Sequence, residues 1–195
     1  MIQDSLNSKS VQILDEYILK ICVIGSPGAN KTPLIRRYAE NTFSEDYFPT
    51  LGVDITTNRI IVNNIPIKLI VMDIAGEEMF SNIRKSYFEG VAGCIIVYDV
   101  TIRESFQSLD RLIEDFRSNK DRSNTPIVII GNNADLEVDR QVDLEEAREF
   151  AEVQGNVPFY ECTTELGGCE IPEIYANFAR QYLESVQWQI SSFRC

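Results

Sequence analysis

Gly25-Ser26-Pro27-Gly28-Ala29-Asn30-Lys31-Thr32, directly after the apolar run Ile21-Cys22-Val23-Ile24, is the stretch on which the reading of this chain turns. It fits the pattern glycine, four free positions, then Gly-Lys-Ser/Thr, except that Asn30 occupies the second glycine. A loop of this kind aims successive backbone N–H groups at a phosphate from a helix N-terminus, where the helix dipole also favours negative charge. Ser26, Gly28, Ala29, Asn30, Lys31 and Thr32 are the candidates to line it. Lys31 would reach the β- and γ-phosphates, and the Thr32 hydroxyl would ligate Mg²⁺. Asn tolerates unusual backbone angles better than most residues. Asn30 is therefore expected to keep the backbone path while crowding the phosphates, which lowers affinity. Pro27 lacks an N–H and fixes φ where the loop should approach the γ-phosphate. Taken alone, the stretch is equally an ordinary strand-turn-helix that contains these residues.

The 195 residues suit one domain of ordinary size, and 44% apolar and 25% charged residues are average for a globular chain. A net charge of −12 argues against nucleic acid and against direct attraction to anionic lipid. The absence of histidine excludes Ser-His, Cys-His and His-metal chemistry, which leaves carboxylates, Lys, hydroxyls, backbone amides and a hard metal ion. Five cysteines without a CxxC pair suggest neither a zinc site nor a disulfide framework, so a reducing cytoplasmic setting is expected. Cys22 and Cys94 lie in apolar runs and read as core. Residues 1–15 lack the apolar stretch of a signal peptide, and the apolar run near 91–98 is too short to span a bilayer.

From residue 19 onward, short apolar runs alternate with amphipathic segments. Leu19–Ile24, Ile67–Met72, Gly93–Tyr98, Ile127–Ile130 and Pro158–Tyr160 read as strands of a sheet covered on both faces. Val53–Val62 and Ile65–Met72, separated by Asn63-Asn64, read as a hairpin. Helical spacing recurs in Phe106, Leu109, Leu112, Ile113 and Phe116, and again in Ile174, Tyr175, Phe178, Tyr182 and Val186. Leu144, Ala147, Phe150 and Ala151 follow Asp143, with Glu146 three residues on, which is a capping signature. The class is α/β: a six-stranded, mostly parallel sheet with one antiparallel hairpin strand and helices on both faces. Ligands of such sheets bind beyond the strands' carboxyl ends.

More polar candidates fall at those ends. Asp73-Ile74-Ala75-Gly76-Glu77 follows the third strand, where a carboxylate can hold Mg²⁺ and the Gly76 N–H can approach a γ-phosphate. Thr50, in the loop Tyr47-Phe48-Pro49-Thr50, can complete the magnesium shell. Gly131-Asn132-Asn133-Ala134-Asp135 follows the fifth strand, and a carboxylate there can accept from the N1–H and 2-amino group of guanine. Singly, these residues are a strand-end cap, a loop hydroxyl and a turn. In order, each after a strand, they reinforce one another.

The chain resembles a small Ras-superfamily GTPase of the Rab type over about residues 17 to 184. Leu51-Gly52-Val53-Asp54-Ile55 is similar to the family's IGVDF, Ser86-Tyr87-Phe88-Glu89-Gly90 to its SYYRG, and Gly93 to Thr101 is nearly its own. Glu104-Ser105-Phe106, Arg140-Gln141-Val142, Glu146-Ala147 and Pro158-Phe159-Tyr160-Glu161 continue in register. The resemblance implies a P-loop G domain over 17–184, with a flexible segment at 1–16 and a short tail at 185–195. It implies GTP or GDP with Mg²⁺ as ligands, Phe43 edge-on to guanine, Tyr47 over the phosphates, and the Thr163-Thr164 backbone at the guanine O6. A monomeric GTP/GDP switch in vesicle traffic follows. Its partners would be an exchange factor, a GTPase-activating protein and effectors that contact residues around 45–55 and 73–90.

Several residues depart from that family. Glu77 replaces the water-orienting glutamine, and an ionised carboxylate only accepts hydrogen bonds, so slow hydrolysis is expected. Asn133 replaces the lysine whose stem lies along the base, and Thr164-Glu165 replace the Ala-Lys of the family's SAK triplet, which weakens the base pocket. Ile55 and Met72 stand where Rab proteins carry an exposed Phe and Trp, with Tyr87 retained. Cys195 is a lone terminal cysteine; if prenylated, it would give peripheral contact with the cytosolic face of endomembranes, and one chain anchors only marginally. Two alternatives stand beside the switch. One is a pseudo-GTPase kept as an interaction module, and the other is a different phosphate-loop enzyme, such as an ATPase or small-molecule kinase.

Overall fold

The computed structural model describes residues 17–40, 52–75, 86–118, 124–163 and 171–192. Six strands form one sheet: Tyr17–Gly25 (β1), Val53–Val62 (β2), Ile65–Ile74 (β3), Gly93–Asp99 (β4), Ile127–Asn132 (β5) and Phe159–Glu161 (β6). Their order is β2-β3-β1-β4-β5-β6. All neighbours are parallel except β2 and β3, which pair antiparallel from Val53↔Ile74 to Val62↔Ile65. The hairpin turn is two residues long, with φ of 52° at Asn63 and 62° at Asn64. Two positive φ values define the turn whose twist matches the flanking strands, and Asn supplies them at low steric cost.

The helices are Lys31–Glu40 (α1), Arg103–Gln107 (α2), Leu109–Arg117 (α3), Leu144–Val153 (α4) and Ile171–Ser192 (α5). The sheet separates two apolar cores. Leu34, Ile35, Ile174, Tyr175 and Phe178 cover one face, and Phe106, Leu112, Phe116, Ala147 and Ala151 cover the other. Every residue of β4 and β5 is buried, which is why those segments carry unbroken apolar runs. Where α5 crosses β4 the backbone comes close: a Cβ at Gly93 would sit 2.6 Å from the Phe178 ring. The cysteines at 22 and 94 are buried, free thiols of this core.

The sequence reading needs correcting at four points. The Phe106 to Phe116 stripe is carried by two helices, α2 and α3, with Ser108 between them. Leu144 is 36% exposed rather than core, because it sits on the solvent side of the first turn of α4. Asp143 does precede α4 in extended backbone, but no side-chain bond caps the helix; the Glu146 carboxylate is instead taken by both terminal nitrogens of Arg103. Cys162 is disulfide-bonded, its partner outside the described residues. The cysteine count and spacing gave no sign of that bond, because pairing is set by the distance and direction between two side chains. Among the described residues, no helix is long and apolar enough to cross a membrane.

Candidate functional site

The carboxyl ends of β3, β1, β4, β5 and β6 point to one edge of the sheet, in that order, and β1, β3, β5 and β6 each deliver one part of the site. β1 ends at Gly25, where a Cβ would fall 2.2 Å from the Val97 carbonyl oxygen of β4, so only glycine fits. The loop beyond turns on positive φ at Gly28 (82°) and Asn30 (52°). Asn30 therefore keeps the left-handed backbone that a glycine would supply there. Lys31, first in α1, folds back so that Nζ donates to the Gly25 and Ser26 carbonyls, each at 3.0 Å. The Ser26 hydroxyl lies 2.5 Å from that of Ser108. Ser108 already gives its one proton to the Ser105 carbonyl at 2.7 Å, so Ser26 is the donor. The loop is thereby fastened to the junction of α2 and α3.

β3 brings Asp73 to the same place. Thr32 Oγ1 donates to Asp73 Oδ2, while Oδ1 is buried and has no hydrogen-bond partner. Burial pushes the Asp73 carboxyl up, opposed by the Thr32 hydrogen bond and the positive charge of Lys31. A buried carboxylate oxygen with open lone pairs, beside a threonine hydroxyl, is a donor set for a hard cation. Among the described residues no three Cys, Asp or Glu side chains gather into a metal cluster. One carboxylate and one hydroxyl still suit Mg²⁺, which keeps several waters and takes phosphate oxygens as ligands.

β5 ends in Asn132, wholly buried, whose Nδ2 donates to the Ala29 and Asn30 carbonyls at 3.4 Å each. Its Oδ1 is buried without a partner. Asp135 is exposed on the turn that follows. The next strand is laced to that turn: the Cys162 N–H donates to Gly131 O at 2.7 Å, and the Ala134 N–H donates to Cys162 O at 3.0 Å. Thr163 consequently sits beside the 132–135 turn. Asn132, Asp135, Thr163, Lys31, Thr32 and Asp73 thus share one edge of the sheet. Phe43, Tyr47, Thr50, Gly76, Glu77, Thr164 and Cys195 lie outside the described residues.

Asn133 behaves differently from its sequence reading. With φ at 62° it turns inward, is only 8% exposed, and Nδ2 donates to Asp99 Oδ2 at 2.6 Å. Asp99 Oδ1 accepts from the Thr101 N–H and hydroxyl at 2.8 and 2.6 Å. Asn133 thus holds a buried carboxylate at the end of β4. Asp99 escaped the sequence reading as a functional residue; its signal was a charged residue ending an otherwise apolar strand. Arg140 was missed as well. It pairs with both Glu161 carboxylate oxygens at 2.7 and 2.9 Å and donates to Ala134 O at 3.3 Å, tying the turn after β5 to β6. That pairing holds the Arg140 guanidinium above its ordinary range. Met72, expected to be exposed, is buried among Ile70, Ile74 and Phe88 on the core side of β3, while its cross-strand neighbour Ile55 is 54% exposed.

Comparison with known proteins agrees with this geometry. The model of the Ras family matches residues 20–184. The Ras-related protein Rab11C of Nicotiana tabacum is 36% identical over 72% of this chain and 63% of its own length. RABA4b of Arabidopsis thaliana is 37% identical over 72% of this chain and 62% of its own length. The GTP-binding protein YPT1 of Saccharomyces cerevisiae is 35% identical over 89% of this chain and 83% of its own length. The match thus spans less than two thirds of the two plant relatives.

Proposed function

The chain belongs to the Ras family, in its Rab-like branch, and from that premise we propose that it is a guanine-nucleotide switch of vesicle traffic that hydrolyses GTP slowly with magnesium. The observation that carries the proposal is the Thr32–Asp73 pair, with Asp73 Oδ1 left open, beside a loop that Lys31 and Asn132 brace from either side. Lys31 would hold the phosphates, and Asp73, Thr32 and Thr50 would hold Mg²⁺. When bound, the ion supplies charge neutralisation at the phosphate oxygens. Asp135, the Asn132 amide and the Thr163-Thr164 backbone would read guanine, with Phe43 and Tyr47 closing over base and phosphates. Gly76 would offer an N–H to the terminal phosphate.

Glu77 sets the rate in this reading. It can accept a proton from the attacking water but cannot donate to the phosphate, and it adds negative charge beside a polyanion. The exposed Ile55 supports an effector surface around residues 45–55 and 73–90, whose partner choice differs from that of relatives bearing an aromatic there. Exchange factor, activating protein and effectors are the partners, and a prenylated Cys195 would place the chain at a cytosolic membrane face. An intact mass from the native cell without a prenyl increment removes that anchor.

A second reading, a pseudo-GTPase retained as an interaction module, is favoured by one observation: Asn133 is committed to Asp99, so the base loses the packing that a lysine stem provides. Two measurements decide between the readings. The protein purified without added nucleotide is analysed for what co-elutes, and single-turnover GTP cleavage is compared with Glu77→Gln. Bound guanine nucleotide, with faster cleavage in Glu77→Gln, supports the slow switch. Absence of guanine nucleotide and of any response to GDP with Mg²⁺ rejects it in favour of the module, and a response to ATP alone points to another phosphate-loop enzyme.

A further inference from the structure

At the opposite end of the sheet, where β5 and β6 begin, a cavity of about 290 Å³ opens between these strands and α5. Its floor is apolar, built from Val128, Val157, Ile174 and Phe178, all buried. Its rim carries carboxamides, among them Asn124, Asn177 and Gln181. Ile127 stands at this end of β5 and Asn132 at the other, so the strand separates the cavity from the nucleotide edge by roughly 16 Å at 3.3 Å per residue.

One charged side chain lines the cavity among the described residues: Arg117, the last residue of α3. Its Nε is buried and has no acceptor. Its Nη1 has a single long bond, 3.4 Å, to the Gln154 carbonyl. A guanidinium offers five donors in a planar fork that matches a carboxylate in two bonds, and a buried N–H without an acceptor carries a desolvation penalty. Among the described residues, no carboxylate lines the cavity to answer it. The volume lies at the low end for ligand sites, so the occupant is a ring or a short branched chain rather than a nucleotide.

We propose that this cavity is a second ligand site, which takes a small amphipathic carboxylate: the acid group meets the Arg117 fork, the apolar body covers Val128 and Phe178, and the carboxamides orient it. The site stands independently of the guanine-nucleotide reading, because none of its residues belongs to that edge.

The probe is 3-phenylpropionate, titrated into the full chain and followed by NMR at the Arg117 Nε–Hε and Val128 methyl resonances, with 3-phenylpropanamide as the uncharged control. The acid is expected to give saturable shifts at both positions, the amide to bind about tenfold more weakly, and Arg117→Gln to abolish the preference for the acid. Gln181→Trp, a substitution at the exposed mouth, should block both compounds. The proposal is overturned if the amide binds as tightly as the acid, if Arg117→Gln binds the acid as wild type does, or if no saturable shift reaches these residues. Should Arg117→Gln fail to fold, the acid-against-amide comparison on the native chain decides.

Discussion

Asn30 shows how one residue can break a motif without breaking the structure the motif encodes. At φ 52° it occupies the left-handed region that glycine would enter freely and that most side chains resist. Asn30→Gly should keep the fold and tighten GDP binding, as read by the nucleotide off-rate, since the crowding side chain is removed while the left-handed backbone is kept. Asn30→Val should instead lower unfolding stability by about 1–2 kcal/mol in urea denaturation, because a β-branched residue is forced into the same φ. Asn133 makes the complementary point. Its amide answers the buried Asp99 carboxylate, so Asn133→Leu leaves an oxygen unpaired in the core and should cost about 1–3 kcal/mol. Equal midpoints for Asn133→Leu and wild type would show that the contact carries no stability.

The elements of the site are held by contacts that join distant parts of the chain. Ser26 to Ser108 fastens the loop after β1 to α2 and α3, Arg140 to Glu161 fastens the turn after β5 to β6, and Arg103 to Glu146 fastens α2 to α4. The last is open to a pH test. The hydrogen bonds from Arg103 hold the Glu146 carboxyl below its ordinary value of 4.5. A depressed carboxylate stabilises the fold above that value and loses its contribution as pH falls through the folded-state pKa. Wild type should therefore exceed Glu146→Gln in melting temperature at pH 7, and the gap should close in acid. Both side chains are over a third exposed, so high salt should narrow the gap too. A gap that persists unchanged at low pH would exclude the ion pair as its cause.

For the molecule as a whole, the carboxyl edge of the sheet combines a buried carboxylate whose Oδ1 has no partner with an amide oxygen in the same condition, Asp73 Oδ1 and Asn132 Oδ1. Groups left in that state lower stability and recover it when a ligand completes them. GDP with Mg²⁺ at about a hundred times its Kd should raise unfolding stability by about 2.7 kcal/mol, while GDP with a chelator should raise it less. A melting temperature indifferent to both would remove the ligand from this account.

The sequence by itself determined the α/β class, the six strands, the hairpin turn and most of the candidate site, because hydrophobic period and glycine or asparagine positions are local properties of the chain. Lys31, Thr32, Asp73, Asn132 and Asp135 were legible because each lies at or just beyond the carboxyl end of a strand, and parallel strands place those ends on one edge. Only the tertiary structure decided what those side chains face. Asn133 turns to Asp99, Glu146 to Arg103 and Met72 into the core, and Cys162 is oxidised in a disulfide. Asn133 and Glu146 depend on partners tens of residues away, and Met72 on which face of its strand is covered. No spacing rule encodes that, since burial and through-space pairing arise only once the sheet has brought its strands together.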